Sequence, residues 1–445
     1  MKKIKNLSEG NFLKLFFGFF TLAFLVAAVC MSDRGTMFTG LWQIISGPSK
    51  ISTNYFAVGG YAATFLNMGL VDALCLLLFV VFKATPNNAS TLAFVLTLGF
   101  CSWGINILNM WPSILGVVLY GLVKREKMGS LVNAMLFSTG IAPLITDLML
   151  RYPNAEAIGF NAPGILLSLL VGLVIGFFLP AGLAHSPKVH KGFDLYSAAL
   201  PIGMTAFFLN ATLFKTVGVD LPAAPDAATL QVASQATVNI FCCILFGLCV
   251  VFAFLLGCTP KDYWKLLTDP DQVTSFSGKY GNAVMLMNVG VFGLFILGYY
   301  NLIGATFNGV TFGIIFCMLA TCNSGSHPGN VWPIMLGYVV ASFGFGWLSS
   351  LVDGNFTLAI NAQAICVGLC YANGLSPIAD KYGWQYGLIA AIMHYLLVTS
   401  VPTLHGGFCL YNGGFTAALI CIILVPELER FFKTKEDKRA LKAQK

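Results

Sequence analysis

Fourteen stretches of the sequence are apolar over roughly membrane-spanning length, and this recurrence constrains the fold more than any single residue does. They begin near Asn11, Tyr55, Ser90, Trp111, Gly129, Ala162 and Gly192. After a polar connection from Val217 to Gln235 they resume near Thr237, Gly281, Gly309, Val331, Asn355, Gly383 and Gly407. A hydrocarbon layer of about 30 Å takes about twenty apolar residues in helical form. Within it every backbone N–H and C=O needs a partner inside the protein, so only helices and closed barrels can span, and runs of this length select helices. Charged residues make up 10% of the chain and mean hydropathy is +0.79, against about 25% charged in a soluble domain. Such a chain cannot cover a water-facing surface. It reads as an all-α polytopic membrane protein of about 14 transmembrane helices. The first apolar run is too long for a signal-peptide core and no small-residue cleavage pattern follows it, so it reads as the first span.

The runs are not independent of one another. Cys101 to Gly116 reads CSWGINILNMWPSILG, and Cys322 to Gly337 reads CNSGSHPGNVWPIMLG. Both copies fit C-x2-G-x4-N-x-W-P-x2-L-G at an offset of 221 residues, with seven identities in sixteen positions. Further pairs recur in the same order. Trp42 and Pro48 return as Trp264 and Pro270, and Asn67-x-Gly69 returns as Asn288-x-Gly290. Gly140-Ile-Ala-Pro143 returns as Gly374-Leu-Ser-Pro377, and His190-x-Gly-Phe-x-Leu-Tyr196 returns as His405-x-Gly-Phe-x-Leu-Tyr411. The chain is therefore a duplication. Two halves with an odd helix count each must face opposite ways, which is the inverted-repeat architecture of many secondary transporters.

Charge distribution tests that threading. With the N-terminus inside, 21 of the 25 basic residues fall on the inner side, including Lys124, Arg125, Lys127 and those of the tail; only Arg34, Lys50, Arg151 and Lys215 fall outside. This is a strong positive-inside bias. The expected organisation is a first transmembrane repeat over 11–216, an extracytoplasmic linker over 217–235, a second repeat over 236–430 and a basic, solvated cytoplasmic tail over 431–445. A net charge of +7 is thereby accounted for by orientation, with no nucleic acid required. The thirteen cysteines are scattered singly, without zinc-type spacing, and read as small buried hydrophobes.

Each copy of the long motif closes an apolar run with small and amide residues and restarts it at Trp-Pro. In a membrane such a break is tolerated only inside protein or against a water-filled cavity. Helix ends carry free backbone groups and a partial charge, so they bind solutes without a full side-chain charge. The candidate substrate-binding residues are therefore Asn106 and Asn109 in the first break, and Asn323, Ser324, Ser326, His327 and Asn330 in the second. A tight interhelical turn capped by the Asn side chains is the structural alternative. If the breaks form one site, the segments Gly104–Trp111 and Gly325–Trp332 should meet within the membrane and line a shared polar cavity. Gly140, Pro143, Gly374 and Pro377 mark two further helix breaks, whose freed carbonyls are candidate cation ligands. Asn67 and Asn288 are expected to hydrogen-bond across the interface between repeats. Asp72 lies in an apolar run, where a carboxylate is either protonated or paired with a cation, so it is the candidate for proton or sodium coupling. His190, His405 and the tyrosines following them read as interfacial anchors, and His394 as a packing histidine.

Over nearly its full length the duplicated pattern resembles an uncharacterised family of bacterial multi-pass membrane proteins, known as a domain of unknown function. Its seven-plus-seven layout is similar to the fold of nucleobase, sulfate and bicarbonate transporters, in which the third and tenth segments are half-helices meeting at the substrate. Here too the paired break falls at segments three and ten, although it follows the apolar run where theirs precedes it, and none of that fold's sequence signatures occurs. No Walker loop, G-x-S-x-G elbow, H-E-x-x-H or paired-Asp motif is found, so no enzyme, metal or cofactor is expected. The expected function is a secondary transporter or facilitator for a small polar solute in the bacterial inner membrane, with both termini cytoplasmic. An uncoupled channel-like facilitator is one alternative; a polytopic membrane enzyme or assembly factor for lipid-linked substrates is the other. Expected partners are the lipid bilayer and the solute, and homo-oligomerisation is left open.

Overall fold

The computed structural model describes residues 7–443 except 49, 51, 154–157, 221–233 and 270–274. Pro270 and most of the connection expected between the halves lie outside the described residues. The first half runs through α1 (Glu9–Cys30), the short α2 (Met37–Ser46), α3 (Tyr55–Val81), α4 (Asn88–Phe100) and α5 (Trp111–Lys124). It continues with α6 (Met128–Ser138), joined to α7 (Ala142–Arg151) by a 3-10 turn at Thr139–Ile141, then α8 (Ala162–His190) and α9 (Ala199–Leu209), which widens through Asn210–Val217. The second half runs through α10 (Gln235–Leu255), α11 (Pro260–Thr268), α12 (Phe276–Tyr280), α13 (Asn282–Leu302), α14 (Gly309–Leu319) and α15 (Pro328–Leu351). There follow α16 (Gln363–Ala372), a 3-10 turn at Asn373–Leu375, α17 (Ser376–Tyr382), α18 (Trp384–Val398), α19 (Val401–Leu404), α20 (Asn412–Phe431) and a terminal helix α21 (Lys435–Ala443). No strand occurs among the described residues, and eight of their helical segments are long and apolar enough to cross a membrane, with four shorter apolar helices beside them. The chain is an all-α polytopic membrane protein.

The duplication is visible in local chemistry. The helix carrying Asn67 bends at Gly60 (φ 85°), and the one carrying Asn288 starts after Gly281 (φ 90°); glycine reaches this region without a Cβ clash. Asn87 caps α4 by accepting from Ser90 N, and Asn308 caps α14 by accepting from Thr311 N, each satisfying an N–H that has no partner in its own helix. Trp42 and Trp264 stand exposed on the short helices α2 and α11.

Helices α4 and α14 form the centre of the molecule and run antiparallel. Tyr55 N, just before α3, donates to Ser102 O at the end of α4 (3.2 Å), and Gly309 N at the start of α14 donates to Asn54 Oδ1 (2.9 Å). At the opposite end Ser324 Oγ, just past α14, donates to Asn88 O at the start of α4 (3.3 Å). The two backbones touch in between: a Cβ added to Gly99 would lie 2.6 Å from Gly313 O, and one added to Gly313 would lie 2.2 Å from Gly99 O. Around this pair an aromatic seam joins the halves, with Phe24 against Phe241 at 4.9 Å and against Phe316 at 5.4 Å. At 13 and 11 residues, α4 and α14 are only about 15–20 Å long at 1.5 Å per residue. Neither can span a bilayer alone.

Two expectations change here. The runs expected to start as helices at Gly192 and Gly407 begin instead as irregular, largely buried chain with turns, and helix resumes only at Ala199 and Asn412. His190, Tyr196, His405 and Tyr411 are accordingly not interfacial anchors; each is no more than 2% exposed. Asn67 and Asn288 do not bond across the repeat interface. Asn67 Nδ2 donates to Cys101 O and Ile105 O (2.8 and 2.9 Å), and Asn288 Nδ2 to Cys322 O and Ser326 O (2.8 and 3.0 Å), each within its own half. The reason is local: a helix that stops inside the protein leaves carbonyls without partners, and the neighbouring Asn supplies the donors.

Candidate functional site

Each long-motif break closes upon itself. In the first, Asn106 N donates to Asn109 Oδ1 (2.8 Å), Asn109 N returns a bond to Asn106 Oδ1 (2.9 Å), and Asn109 Nδ2 donates to Gly104 O and Thr146 Oγ1 (both 2.9 Å). In the second, His327 N donates to Asn330 Oδ1 (3.0 Å), and Asn330 Nδ2 donates to Gly325 O (2.7 Å) and Asp380 Oδ2 (2.6 Å). His327 Nδ1 accepts from Gly329 N at 3.1 Å and so caps α15. Asn323 Oδ1 accepts from Ser277 N (2.8 Å), and its Nδ2 donates to Thr91 Oγ1 (3.2 Å). These side chains are buried. The expectation that both breaks line one cavity is not met: because α4 and α14 are antiparallel, the breaks sit at opposite ends of that pair.

What meets at the centre are the hinges and the arms. The 3-10 turns at Thr139–Ile141 and Asn373–Leu375 are hinges produced by Gly140 with Pro143 and by Gly374 with Pro377. The non-helical chains at 193–197 and 408–411 are arms, and each packs on the hinge of the opposite half. Leu195 N donates to Gly374 O (3.1 Å) and Leu410 N to Gly140 O (2.8 Å). The hinge glycine is required in both places. A Cβ on Gly140 would fall 1.8 Å from the Tyr411 ring, and one on Gly374 would fall 2.6 Å from the Tyr196 ring. The Gly140 and Gly374 carbonyls are therefore engaged by backbone N–H groups of the arms.

The backbone repeats, but the polarity does not. Tyr196 reaches from the first half's arm into the second half, its hydroxyl 2.8 Å from Cys317 O, 3.1 Å from Cys370 O and 2.9 Å from Asn373 Oδ1. Asn373 Nδ2 donates to Met318 O and Thr321 Oγ1 (both 2.9 Å) and reaches Ser326 Oγ at 3.5 Å; Ser326 Oγ lies 3.4 Å from Ser376 Oγ. A continuous polar chain thus links the arm, the hinge and the second break. The equivalent positions around the other arm are Tyr411, Thr139, Phe100, Ile105 and Ala142, and the Tyr411 hydroxyl has no partner there among the described residues.

Each end of the molecule has an open cleft. One of about 260 Å³ is lined by Asp147, Arg151, Tyr152 and Asp220, with the Asp147–Arg151 pair at 2.9 Å; Asp147 follows Thr146, the partner of Asn109. The other, of about 410 Å³, is lined by Asn330, Trp332, Asp380, Trp384, Gln385 and, from α21, Lys435 and Lys438. The tail, expected to be solvated, is exposed along most of its described residues but reaches the cleft that opens on the second break through Lys435 and Lys438. Burial lowers the Lys435 ammonium from its ordinary value, against the opposing pull of Asp380. Burial likewise lowers Lys50, with Asp147 opposing.

Asp72 is fully buried on α3, and neither carboxylate oxygen has a hydrogen-bond partner among the described residues. It stands apart from the arm and hinge contacts. Both ring nitrogens of His394 are engaged, Nδ1 with the Tyr338 hydroxyl (2.6 Å) and Nε2 with Gly413 O (2.8 Å), which suits a packing histidine. Sequence reasoning missed Tyr196, Asn373, Ser376 and Asp194. The signal that marked the arm was its own duplication, which was read as a membrane anchor because His and Tyr are common at interfaces. No group of metal-ligating side chains occurs among the described residues.

A family model described as "Protein of unknown function (DUF1576)" matches residues 33–215 and 258–430. No curated protein and no solved structure matches the chain.

Proposed function

We propose that this chain, which belongs to the DUF1576 family of proteins of unknown function, is a secondary carrier for a small polar solute, built as two inverted repeats. The observation that carries the reading is the reciprocal exchange of arms: each half's non-helical arm seats on the other half's hinge, around an antiparallel pair of short helices. Inverted repeats with broken helices at their interface are how many carriers present one site to two sides of a membrane in turn. The two clefts, one at each end, supply approach routes of opposite sidedness. The solute site is the polar chain Tyr196–Asn373–Ser326–Ser376, extended by Asn323, His327 and Asn330 towards the cleft at Asp380. Asn109 and Asn106 hold the matching turn at the other end, where the route is less polar. Hydroxyl, amide and carbonyl groups dominate this chain, which suits a neutral or singly charged solute. A membrane-buried acid without a hydrogen-bond partner is a coupling candidate, and Asp72 fills that role for a proton or sodium ion.

A thermal-shift screen of purified protein over small neutral and singly charged polar solutes identifies the solute, and uptake into proteoliposomes then tests the site. Asn373→Ala and Asn330→Ala should each cut uptake at least tenfold while leaving folded protein. Wild-type uptake in both variants would move the solute route elsewhere. Asp72→Asn should abolish gradient-driven accumulation but spare exchange. If accumulation survives, Asp72 has no coupling role; if wild-type flux never drives counterflow, the pathway is a channel.

A further inference from the structure

Asp194 lies in the first half's arm at 1% exposure, pressed on the hinge of the other half, where a Cβ on Gly374 would approach its Oδ1 to 2.9 Å. Oδ1 accepts one hydrogen bond, from Tyr196 N at 2.9 Å, and Oδ2 has no hydrogen-bond partner among the described residues. None of the neighbouring groups that could neutralise it hydrogen-bonds or ion-pairs with its carboxylate among the described residues. His190 Nδ1 accepts the Asp194 N–H at 3.3 Å and Nε2 lies 2.8 Å from Ser197 Oγ, so the ring is neutral. The Tyr196 hydroxyl faces Cys317 O, Cys370 O and Asn373. Lys191 pairs with Glu429, and Lys381 lies over the Phe193 ring at 5.0 Å.

A carboxylate held by a single N–H donor and shut away from water is uncompensated. The packing does not demand an acid, since the other arm makes the same turn with Cys409 in this position. The geometry points to Asp194 as a binding site for one positive charge, a proton or Na⁺, held where the arm meets the hinge. With the charge bound, the contact between halves is neutral and the arm seats. Without it, the carboxylate draws water into the contact and loosens it. This adds a charge to the solute site proposed above and rests on that reading for its consequence in transport. It is measured as stability, so either can fail while the other stands.

The test is thermal unfolding of the purified full-length protein in detergent. One arm replaces choline by Na⁺ at constant ionic strength in alkaline buffer; the other lowers the pH without Na⁺. Because the folded chain holds the charge more tightly than the unfolded chain, binding raises the unfolding temperature. A rise of a few degrees with Na⁺ identifies sodium; a rise only with falling pH identifies the proton. Asp194→Asn should fold at least as stably as the wild type and lose a measurable share of that rise, in the wild-type background and in Asp72→Asn alike. Asp194→Cys, matching the other arm, should behave as Asp194→Asn does and stands in if the amide fails to fold. A wild type insensitive to both, equal dependence in the wild type and the neutral variants, or failure of both variants to fold would each overturn the assignment.

Discussion

Two tyrosines at equivalent positions have opposite fates. Tyr196 places its hydroxyl among three oxygens of the second half, whereas the Tyr411 hydroxyl is buried without a partner. Removing a hydroxyl that satisfies buried acceptors costs about 1–3 kcal/mol, but removing an unsatisfied one is close to neutral. Tyr196→Phe should therefore destabilise the protein by about 1–3 kcal/mol, and Tyr411→Phe by less than about 0.5 kcal/mol or not at all. Unfolding midpoints of the two variants in one detergent decide this, and equal losses would refute it. The Asn side chains follow similar logic. Asn288→Leu strips the donor from both Cys322 O and Ser326 O, so it should destabilise by at least about 1–3 kcal/mol despite its greater hydrophobicity.

At the level of elements, the crossing of α4 and α14 depends on backbone contact at Gly99 and Gly313. Gly313→Ala inserts a methyl where no void exists and should cost about 1–3 kcal/mol. Gly247, in α10, has nothing within 4 Å of an added Cβ. There Gly247→Ala should be neutral or stabilising by about 0.5–1 kcal/mol, since alanine is the better helix former. A comparison of melting temperatures separates the two. The tail helix α21 should make a pH-dependent contact. Burial lowers the Lys435 pKa when the tail is docked, so the undocked state holds the proton more readily. Docking is therefore weakest while both states are protonated and tightens as pH rises from the lowered value towards the ordinary lysine range. Limited proteolysis of the tail should slow between neutral and alkaline pH, relative to a protease control on an unstructured peptide. Lys435→Met should flatten that change.

For the whole molecule, the proposed inverted arrangement predicts sidedness. Reporter fusions after Lys127 and after Asp226 should give opposite signals, with Lys127 cytoplasmic. Matching signals would mean that the halves are not inverted about the α4–α14 pair. The clefts extend the same prediction: a cysteine introduced at Gln385 should react with a reagent supplied from the cytoplasmic side, and one at Tyr152 with reagent from the other. Deleting the chain from Lys433 onward should speed labelling at the first position several-fold and leave the second unchanged.

Much of this was legible from residues alone, because the relevant physics is local. Long apolar runs with few charges specify membrane helices. Asn, Gly and Pro at fixed spacing specify where the backbone must break, and repetition of the same blocks in the same order specifies two copies of one unit. The sequence determined that helices end after Phe100 and near Ala320, and that Gly140 and Gly374 mark hinges. It did not determine which breaks meet. Tyr196 and Asn373 are 177 positions apart, and no periodicity connects them. Their contact exists because the short helices α4 and α14 pack antiparallel, separating the long-motif breaks and bringing arm to hinge instead. The same packing decided that a histidine–tyrosine block resembling a surface anchor is buried at the centre. A residue's environment in a membrane protein depends on which helix covers it, and that is set by contacts between segments distant in the chain.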